Sequence, residues 1–461
     1  MLQFNSNIFP EKKGVYIVGG SVRDLILGRQ PTDYDIAVLE NPEKFAEKLA
    51  NKTNGHRVKI GKPGQMIIRV ISGKNIFDIS PVCGASIEED LHQRDFTMNA
   101  MAYDLASGKI IDCLGGFQDL CAQKVRMVSK KVFRKDPIRL IRAFRMGAHL
   151  DFEIEPQTLA VIKNEANLIQ KSAGERIREE FLHILRTSKS HAYLSGMAAS
   201  GLLFALFPEL ERLKGCFQNR CHDYDVYTHT MQAFYHLEKT INNYQSGKPE
   251  IQDQIRQYMH KKREPLLKCA ILLHDIGKTD THSVGNSGDV HFFGHARKSA
   301  DMTKNITRRL KFSTRERGYI DFIIRRHMQP LFLFSAYQNK ILTQRGITRF
   351  FIKCGEDTPG ILFHSIGDMQ GKGAQWNGHL ETFMTFVQNM IHNFFSNYKP
   401  RKSKPALITG NDLIQVFGLT PSPLFKSILD RVEEARLLNN IDSRPAALMW
   451  VRDFLRTSGR I

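Results

Sequence analysis

Asp33 and Asp35 stand two residues apart, leading into the apolar run Ile36–Leu39. On a strand that spacing puts both carboxylates on one face. Two like charges held so close repel, and a cation between them relieves the repulsion. Hard divalent ions such as Mg²⁺ prefer carboxylate oxygens and often bridge to substrate phosphates. Upstream, Gly19-Gly20 ends the apolar run Val15–Val18, and a helix-like segment, Val22–Leu27, follows and stops at Gly28. A glycine turn at a helix start lets a phosphate reach backbone N–H groups, and Arg23 adds a fixed charge. A DxD pair alone, or a Gly-Gly turn alone, is a weak signal. In this order they read as strand, turn, helix and strand around a site for metal-dependent phosphoryl or nucleotidyl transfer.

The elements that must position this pair come next. A helix pattern covers Pro42–Ala50, and strand-like runs cover Gln65–Ile71 and Asn75–Ile79. Asp78 alternates with Phe77 and Ile79, so it projects to the face opposite theirs. It could be a third carboxylate beside the pair, or a solvated strand acid. From Phe133 the pattern turns helical. Ile138, Ile141, Phe144 and Ala148 recur near helical spacing, with Arg139, Arg142 and Arg145 as an adjacent basic stripe. Gly174–Arg186 is a second amphipathic helix. Further on, the apolar helix Pro265–Leu273 runs into His274-Asp275-Ile276-Gly277-Lys278. The segment Lys399–Pro405 looks like a short basic linker, and the region after it shows two or three amphipathic helices.

The chain has 461 residues, too many for one core, and 42% hydrophobic content is enough to build several. A formal charge of +19 suits a polyanionic partner, most simply nucleic acid. The seven cysteines, at 83, 113, 121, 216, 221, 269 and 354, form no CxxC. They read as reduced thiols of a cytoplasmic protein. No apolar run is long enough to span a bilayer, and the N-terminus has no signal-peptide pattern. Four regions are expected: 1–130, mixed strands and helices; 131–215, helical; 216–398, helical with the His-Asp pair; and 399–461, a helical tail.

Gly19, Gly20, Val22, Arg23, Asp24, Gly28, Asp33 and Asp35 spell GGxVRDxxLG…DxD. Arg94-Asp95-Phe96-Thr97-Met98-Asn99-Ala100 follows RRDFTxNA, with Gln93 in place of the first arginine. Asp112…Gly115-Gly116 follows DxxGG, and Asp136-Pro137-Ile138-Arg139 follows EDxxR, with Lys135 in place of the glutamate. Together these resemble the class II tRNA nucleotidyltransferase and bacterial poly(A) polymerase family, from about Val15 to Leu210. The resemblance implies an α/β head of the polymerase-β-like type, followed by an all-α neck, HD and tail domains. It implies that Asp33 and Asp35 hold Mg²⁺ on the incoming triphosphate and the attacking RNA 3′-hydroxyl. Gly19, Gly20, Arg23, Arg94 and Arg142 would bind the nucleotide, Asp95 its ribose hydroxyl, and Asp136 and Arg139 the base edge. DxxGG is thought to hinge the head on the neck. The implied activity is addition of C and/or A, from CTP and ATP, to a tRNA or other RNA 3′ end. Poly(A) synthesis and addition of only CC or only A are alternatives. Only nine residues separate Asp78 from Glu88, where enzymes adding all of CCA often carry a longer loop.

His229, His274-Asp275 and Asp368 stand in the order H…HD…D and resemble the HD phosphohydrolase superfamily. Two imidazoles and two carboxylates make a mixed N/O divalent site, for a transition metal or Mg²⁺. His295 and His327 could be further ligands, and Lys278 could orient a phosphate. A reading of another class makes this HD site the main activity and the head an RNA-binding module.

Overall fold

A computed structural model of the chain describes residues 4–61, 66–218, 223–244, 249–260, 263–286, 289–373 and 377–458. The chain divides into two compact units, Met1–Pro208 and Glu209–Ile461.

The first unit is built on a seven-stranded sheet in the order β3-β4-β5-β2-β1-β6-β7. The strands are β1 (Val15–Val18), β2 (Asp33–Val38), β3 (His56–Ile60), β4 (Ile67–Ser72), β5 (Asn75–Pro81), β6 (Ala102–Asp104) and β7 (Ile110–Ile111). Neighbours run antiparallel except β2 and β5, which are parallel. The expected strand from Gln65 is β4, and Gln65 itself lies outside the described residues. On β2, Tyr34 and Ile36 are buried while Asp33 and Asp35 face the other side, as period-two alternation requires. The helix after the glycine turn is Gly20–Ile26, longer at its start than Val22–Leu27. Gly19 precedes it at φ 68°, in the left-handed region that favours glycine.

Helices Arg139–Leu150 and Gly174–Leu185 follow the sheet. Leu140, Ile141, Ala143 and Phe144 of the first are buried, as are Ile177, Phe181, Ile184 and Leu185 of the second. That leaves the arginine stripe on an adjacent flank.

The DxxGG turn is a helix start. The Asp112 carboxylate accepts from the backbone N–H groups of Leu114, Gly116 and Phe117 at 3.3, 2.8 and 2.9 Å. These are N–H groups a helix leaves unpaired. Gly116 lies against the Thr97 carbonyl, and a Cβ there would come within 2.2 Å of that oxygen and 2.9 Å of Met101. Gly116→Ala is expected to cost about 3 kcal/mol of stability, since both neighbours are fixed. Urea denaturation measures it.

The second unit is helical. Val226–Asn243, Arg263–Leu273 and Thr358–Gln370 pack on one another. Every residue of Pro265–Leu273 is buried, which places His274 and Asp275 at the inner end of an apolar rod. The tail forms helices Gly410–Phe417, Pro423–Leu437 and Arg444–Thr457 around a small core that includes Leu413, Ile428, Val432, Val451 and Leu455. Of the expected linker Lys399–Pro405, Lys399–Lys402 is instead helical, directly continuing a π-helical turn, while 403–405 carries no helix and is exposed. Arg401 donates to the Leu437 carbonyl, and Lys402 to Glu433. None of the six described cysteines is in a disulfide, and Cys221 lies outside the described residues.

Candidate active site and metal centre

A cavity of about 540 Å³ in the first unit is lined by Gly19, Gly20, Ser21, Arg23, Asp33, Asp35, Arg94, Asp95, Asn99, Arg139, Arg142 and Arg145, among others. Residues far apart in sequence meet there because β1, β2 and the helix from Gly20 share one end of the sheet. Ser21 locks that end: its hydroxyl donates to the Asp33 carbonyl at 3.1 Å and accepts from the Asp35 N–H at 2.9 Å. Sequence reasoning passed over Ser21 as the variable position of GGxVRD.

The register pairs Asp35 with Asp78 across β2 and β5. Burial pushes the Asp35 carboxyl up, Arg94 pulls it back, and Asp78 and Asp33 add to the rise. A buried acid whose charge is unfavourable alone, beside a second carboxylate, is suited to a hard cation, and the all-oxygen donors fit Mg²⁺ chemistry. Asp78 is not available as an open third carboxylate. Arg69 holds it by two hydrogen bonds, both 2.7 Å.

The arginines are held from behind. Arg23, nearly buried, donates to Asn99 at 2.7 Å and to Asp24. Arg94 donates twice to Asp90 and lies over Gly19, where a Cβ would come within 2.8 Å of its Nη1. Asp95 is buried and accepts from Arg142 at 3.1 Å, from Asn99 and from the Phe96 N–H. Burial opposes its charge, but Arg142 and Asn99 hold its carboxyl below the usual range. Arg142 and Arg145 share Glu180 on the neighbouring helix. Removing that carboxylate leaves the largely buried Arg145 without its ion-pair partner and Arg142 with Asp95 alone. Glu180→Ala is expected to lower the unfolding free energy by about 2 kcal/mol, the scale of lost hydrogen bonds to charged groups, read as a drop in Tm.

Of the expected base-reading pair, Arg139 lines the cavity. Both Asp136 oxygens are held by Arg176, at 3.0 and 2.7 Å. Arg176 had no signal beyond its amphipathic helix.

In the second unit His229, His274, Asp275 and Asp368 come from three separate segments and meet in the interior. His274 Nε2 lies 3.1 Å from Asp275 and 3.5 Å from Asp368, and His229 Nε2 lies 3.0 Å from Asp368. His274, Asp275 and His327 form a second group whose donor atoms lie within 4.8 Å of one another. His295 Nε2 is 3.3 Å from His327 Nε2 and 3.5 Å from Asp275. The structure thus brings together all six expected residues. Lys278 sits 2.6 Å from Asp275.

Burial opposes charge on His274, yet Asp275 and Asp368 overcome it and carry the imidazole up to about 10. Burial pushes His327 down to about 3, with His274 and His295 adding to the fall. His274 Nε2 and both Asp275 oxygens are buried without a well-aligned hydrogen bond. Nitrogen and oxygen donors that converge with part of their hydrogen-bonding capacity unused suit a divalent cation.

His364, one turn before Asp368 on the same helix, is a seventh member that sequence reasoning missed. It is fully buried, its ring is 5.1 Å from that of His274, and neither of its nitrogens has a hydrogen bond. The signal was its four-residue spacing from Asp368.

Three domain families match the chain in order: the poly A polymerase head domain over residues 15–86 and 80–126, the probable RNA and SrmB-binding site of polymerase A over 151–214, and the HD domain over 226–334. The A-adding tRNA nucleotidyltransferase of Deinococcus radiodurans is 29% identical, covering 96% of each chain. The CC-adding tRNA nucleotidyltransferase of Thermus thermophilus is 26% identical, covering 96% of this chain and 95% of its own. Poly(A) polymerase I of Salmonella typhimurium is 31% identical over 43% of this chain and 47% of its own. In fold, the chain is similar to a CCA-adding enzyme in its apo form, with TM-score 0.65, 20% identity, and coverage of 97% of this chain and 91% of that one. With the head, RNA-binding and HD domains in this order and relatives matched end to end, the chain belongs to the tRNA nucleotidyltransferase and poly(A) polymerase family.

Proposed function

We propose that this protein is a template-independent nucleotidyltransferase that adds C and/or A, from CTP and ATP, to tRNA 3′ ends. One observation carries the reading: Asp33 and Asp35 open into the same cavity as Arg23, Arg94, Arg139, Arg142 and Arg145. Asp33 and Asp35 would hold Mg²⁺, which supplies activation of the RNA 3′-hydroxyl and stabilisation of charge on phosphorus. The 3′-oxygen then bonds to the α-phosphorus of the nucleotide as the bond to pyrophosphate breaks, and the hydroxyl proton is lost to solvent. Gly19-Gly20 leaves room for phosphate, and the arginines neutralise its oxygens from fixed positions, so little reorganisation is needed as charge moves. Asp95, in contact with Arg142, would meet the ribose, and Arg139 the base, with Asp136 reaching the base once it exchanges its Arg176 pairing for that contact.

Partner and location follow from the same reading. A charge of +19 supports binding of the tRNA backbone. Among the described residues no helix is long and apolar enough to cross a membrane, and the proposed location is the cytoplasm. The test uses tRNA transcripts lacking CCA, ending in CC, or unrelated in sequence, each with labelled CTP or ATP. Extension of the tRNA ends supports the reading. Extension of the unrelated RNA with ATP alone would favour poly(A) synthesis, and no extension of any RNA would sink it.

The buried His-Asp cluster favours a second activity, metal-dependent phosphohydrolysis at a phosphomonoester or cyclic phosphate. His229, His274, Asp275 and Asp368 would be ligands, with His295 and His327 beside them. Opening of 2′,3′-cyclic nucleotides by water to the 2′- or 3′-phosphomonoester, lost on chelation, tests it.

A further inference from the structure

Gln93 and Lys135 are the two positions where this chain departs from the RRDFTxNA and EDxxR patterns, and they touch. Lys135 Nζ donates to Gln93 Oε1 at 2.7 Å. They lie 42 residues apart in the chain. The rest of Gln93 is committed as well. Its amide donates to the Cys83 carbonyl at 3.3 Å, and the Cys83 thiol approaches its Oε1 at 3.3 Å. Its own backbone carbonyl accepts from Arg139 Nη2 at 3.1 Å. The short segment after Asp78, the end of helix Ile87–His92, the residue before Asp136, and Arg139 are therefore joined through one glutamine.

Arg139 needs such a hold. Asp136, the acid nearest it in sequence, is occupied on both oxygens by Arg176. Nε and Nη1 of Arg139 are buried at the cavity wall with no hydrogen bond. A guanidinium tied at one nitrogen and unpaired at two others keeps donor capacity in reserve beside the cavity. What fixes its direction decides which acceptors on a base it meets. A lysine at 135 and an arginine at 93 would repel across this contact, as would a glutamate paired with an acid. The amide of Gln93 accepts from Lys135 while also donating to the loop.

We propose that Gln93 and Lys135 form a positioning pair that fixes Arg139 and so sets the discrimination between CTP and ATP. This rests on the nucleotidyltransferase reading above. Neither residue touches the reacting atoms. The pair acts through Arg139, and through Cys83 it ties the loop after Asp78 to the same choice.

The experiment measures kcat and KM for CTP and ATP on the tRNA ends with wild type, Lys135→Ala, Gln93→Ala, and the double variant Gln93→Arg with Lys135→Glu. The Lys135 side chain is exposed, so the effect is that of one hydrogen bond, passed to Arg139 through the placing of the Gln93 backbone carbonyl. Each single variant is expected to change the CTP/ATP ratio of kcat/KM by about fivefold, through KM more than kcat. The double variant rebuilds the contact with opposite charges and is expected to bring the ratio back to within about twofold of wild type. A merely structural pair would change Tm and both nucleotides alike, leaving the ratio where it was, and that result overturns the proposal. So does a double variant no better than the singles. A wild-type protein that incorporates neither nucleotide is a different outcome, for it removes the nucleotidyltransferase reading itself.

Discussion

Asp35→Asn will lower nucleotide incorporation by about a thousandfold or more while leaving the fold at least as stable as before. The first half follows from charge. The substitution keeps the size and shape of the side chain but takes away the anion that would hold Mg²⁺ against the triphosphate, and metal activation of this kind carries several kcal/mol of transition-state stabilisation. The Ser21 hydroxyl bonds the Asp35 backbone, not its carboxylate, so the turn geometry survives. The second half follows from the raised carboxyl of Asp35. Burial disfavours its charge, Arg94 offsets part of that, and Asp78 and Asp33 disfavour it further. A group whose folded pKa is raised binds its proton more tightly when folded. Its contribution is fully present below the unfolded value of 3.8 and is lost as pH rises through the folded value. At neutral pH the ionised Asp35 is therefore a cost that the asparagine does not incur. The measurement is paired: incorporation of labelled CTP or ATP, and Tm with and without Mg²⁺. Wild type should gain Tm on adding Mg²⁺, and the variant should gain less. An active Asp35→Asn variant would move the metal site elsewhere. A variant with a much lower Tm would mean that the carboxylate is structural.

The same residues show how far the chain could be read without coordinates. Asp33 and Asp35 were legible because strand alternation is local: Tyr34 and Ile36 had to be buried, so the acids had to face the other way. The apolar rod ahead of His274 was legible for a similar reason, since nine consecutive buried residues leave a helix no solvent face. Partners across the sheet were not legible. Asp78 looked as open as Asp35, and only the antiparallel register of β4 on β5 sets Arg69 opposite it. Arg176 could not be matched to Asp136, since the two meet only once the helices pack. Lys399–Pro405 read as a linker because it is basic and carries Pro400 and Pro405, yet its first four residues are helical. Tertiary contacts to Leu437 and Glu433 override that composition.

In the second unit, the largest effect belongs to Asp275. It lies 3.1 Å from His274, 3.5 Å from His295 and 2.6 Å from Lys278. Its oxygens are the anionic donors shared by the inner and outer histidines. Asp275→Ala removes that centre and leaves the Lys278 ammonium without its counter-charge. Loss of divalent metal from the purified protein is the first expected result, read by elemental analysis. Hydrolysis of a 2′,3′-cyclic nucleotide to its phosphomonoester should fall with it by about a thousandfold, the cost of losing an activated water. Every residue lining the first cavity belongs to the other compact unit. Nucleotide incorporation by Asp275→Ala should therefore stay within about twofold of wild type, the near-additivity expected of sites that share no residues. That pairing decides between the two rival centres of activity. If Asp275→Ala removed incorporation as well as hydrolysis while Tm held, the His-Asp cluster would be part of the transfer reaction. If hydrolysis and metal content both survived it, Asp275 would not be a ligand, and its contacts with His274 and Lys278 would be structural. Loss of hydrolysis and metal alone, with transfer intact, requires two separate chemistries in one chain.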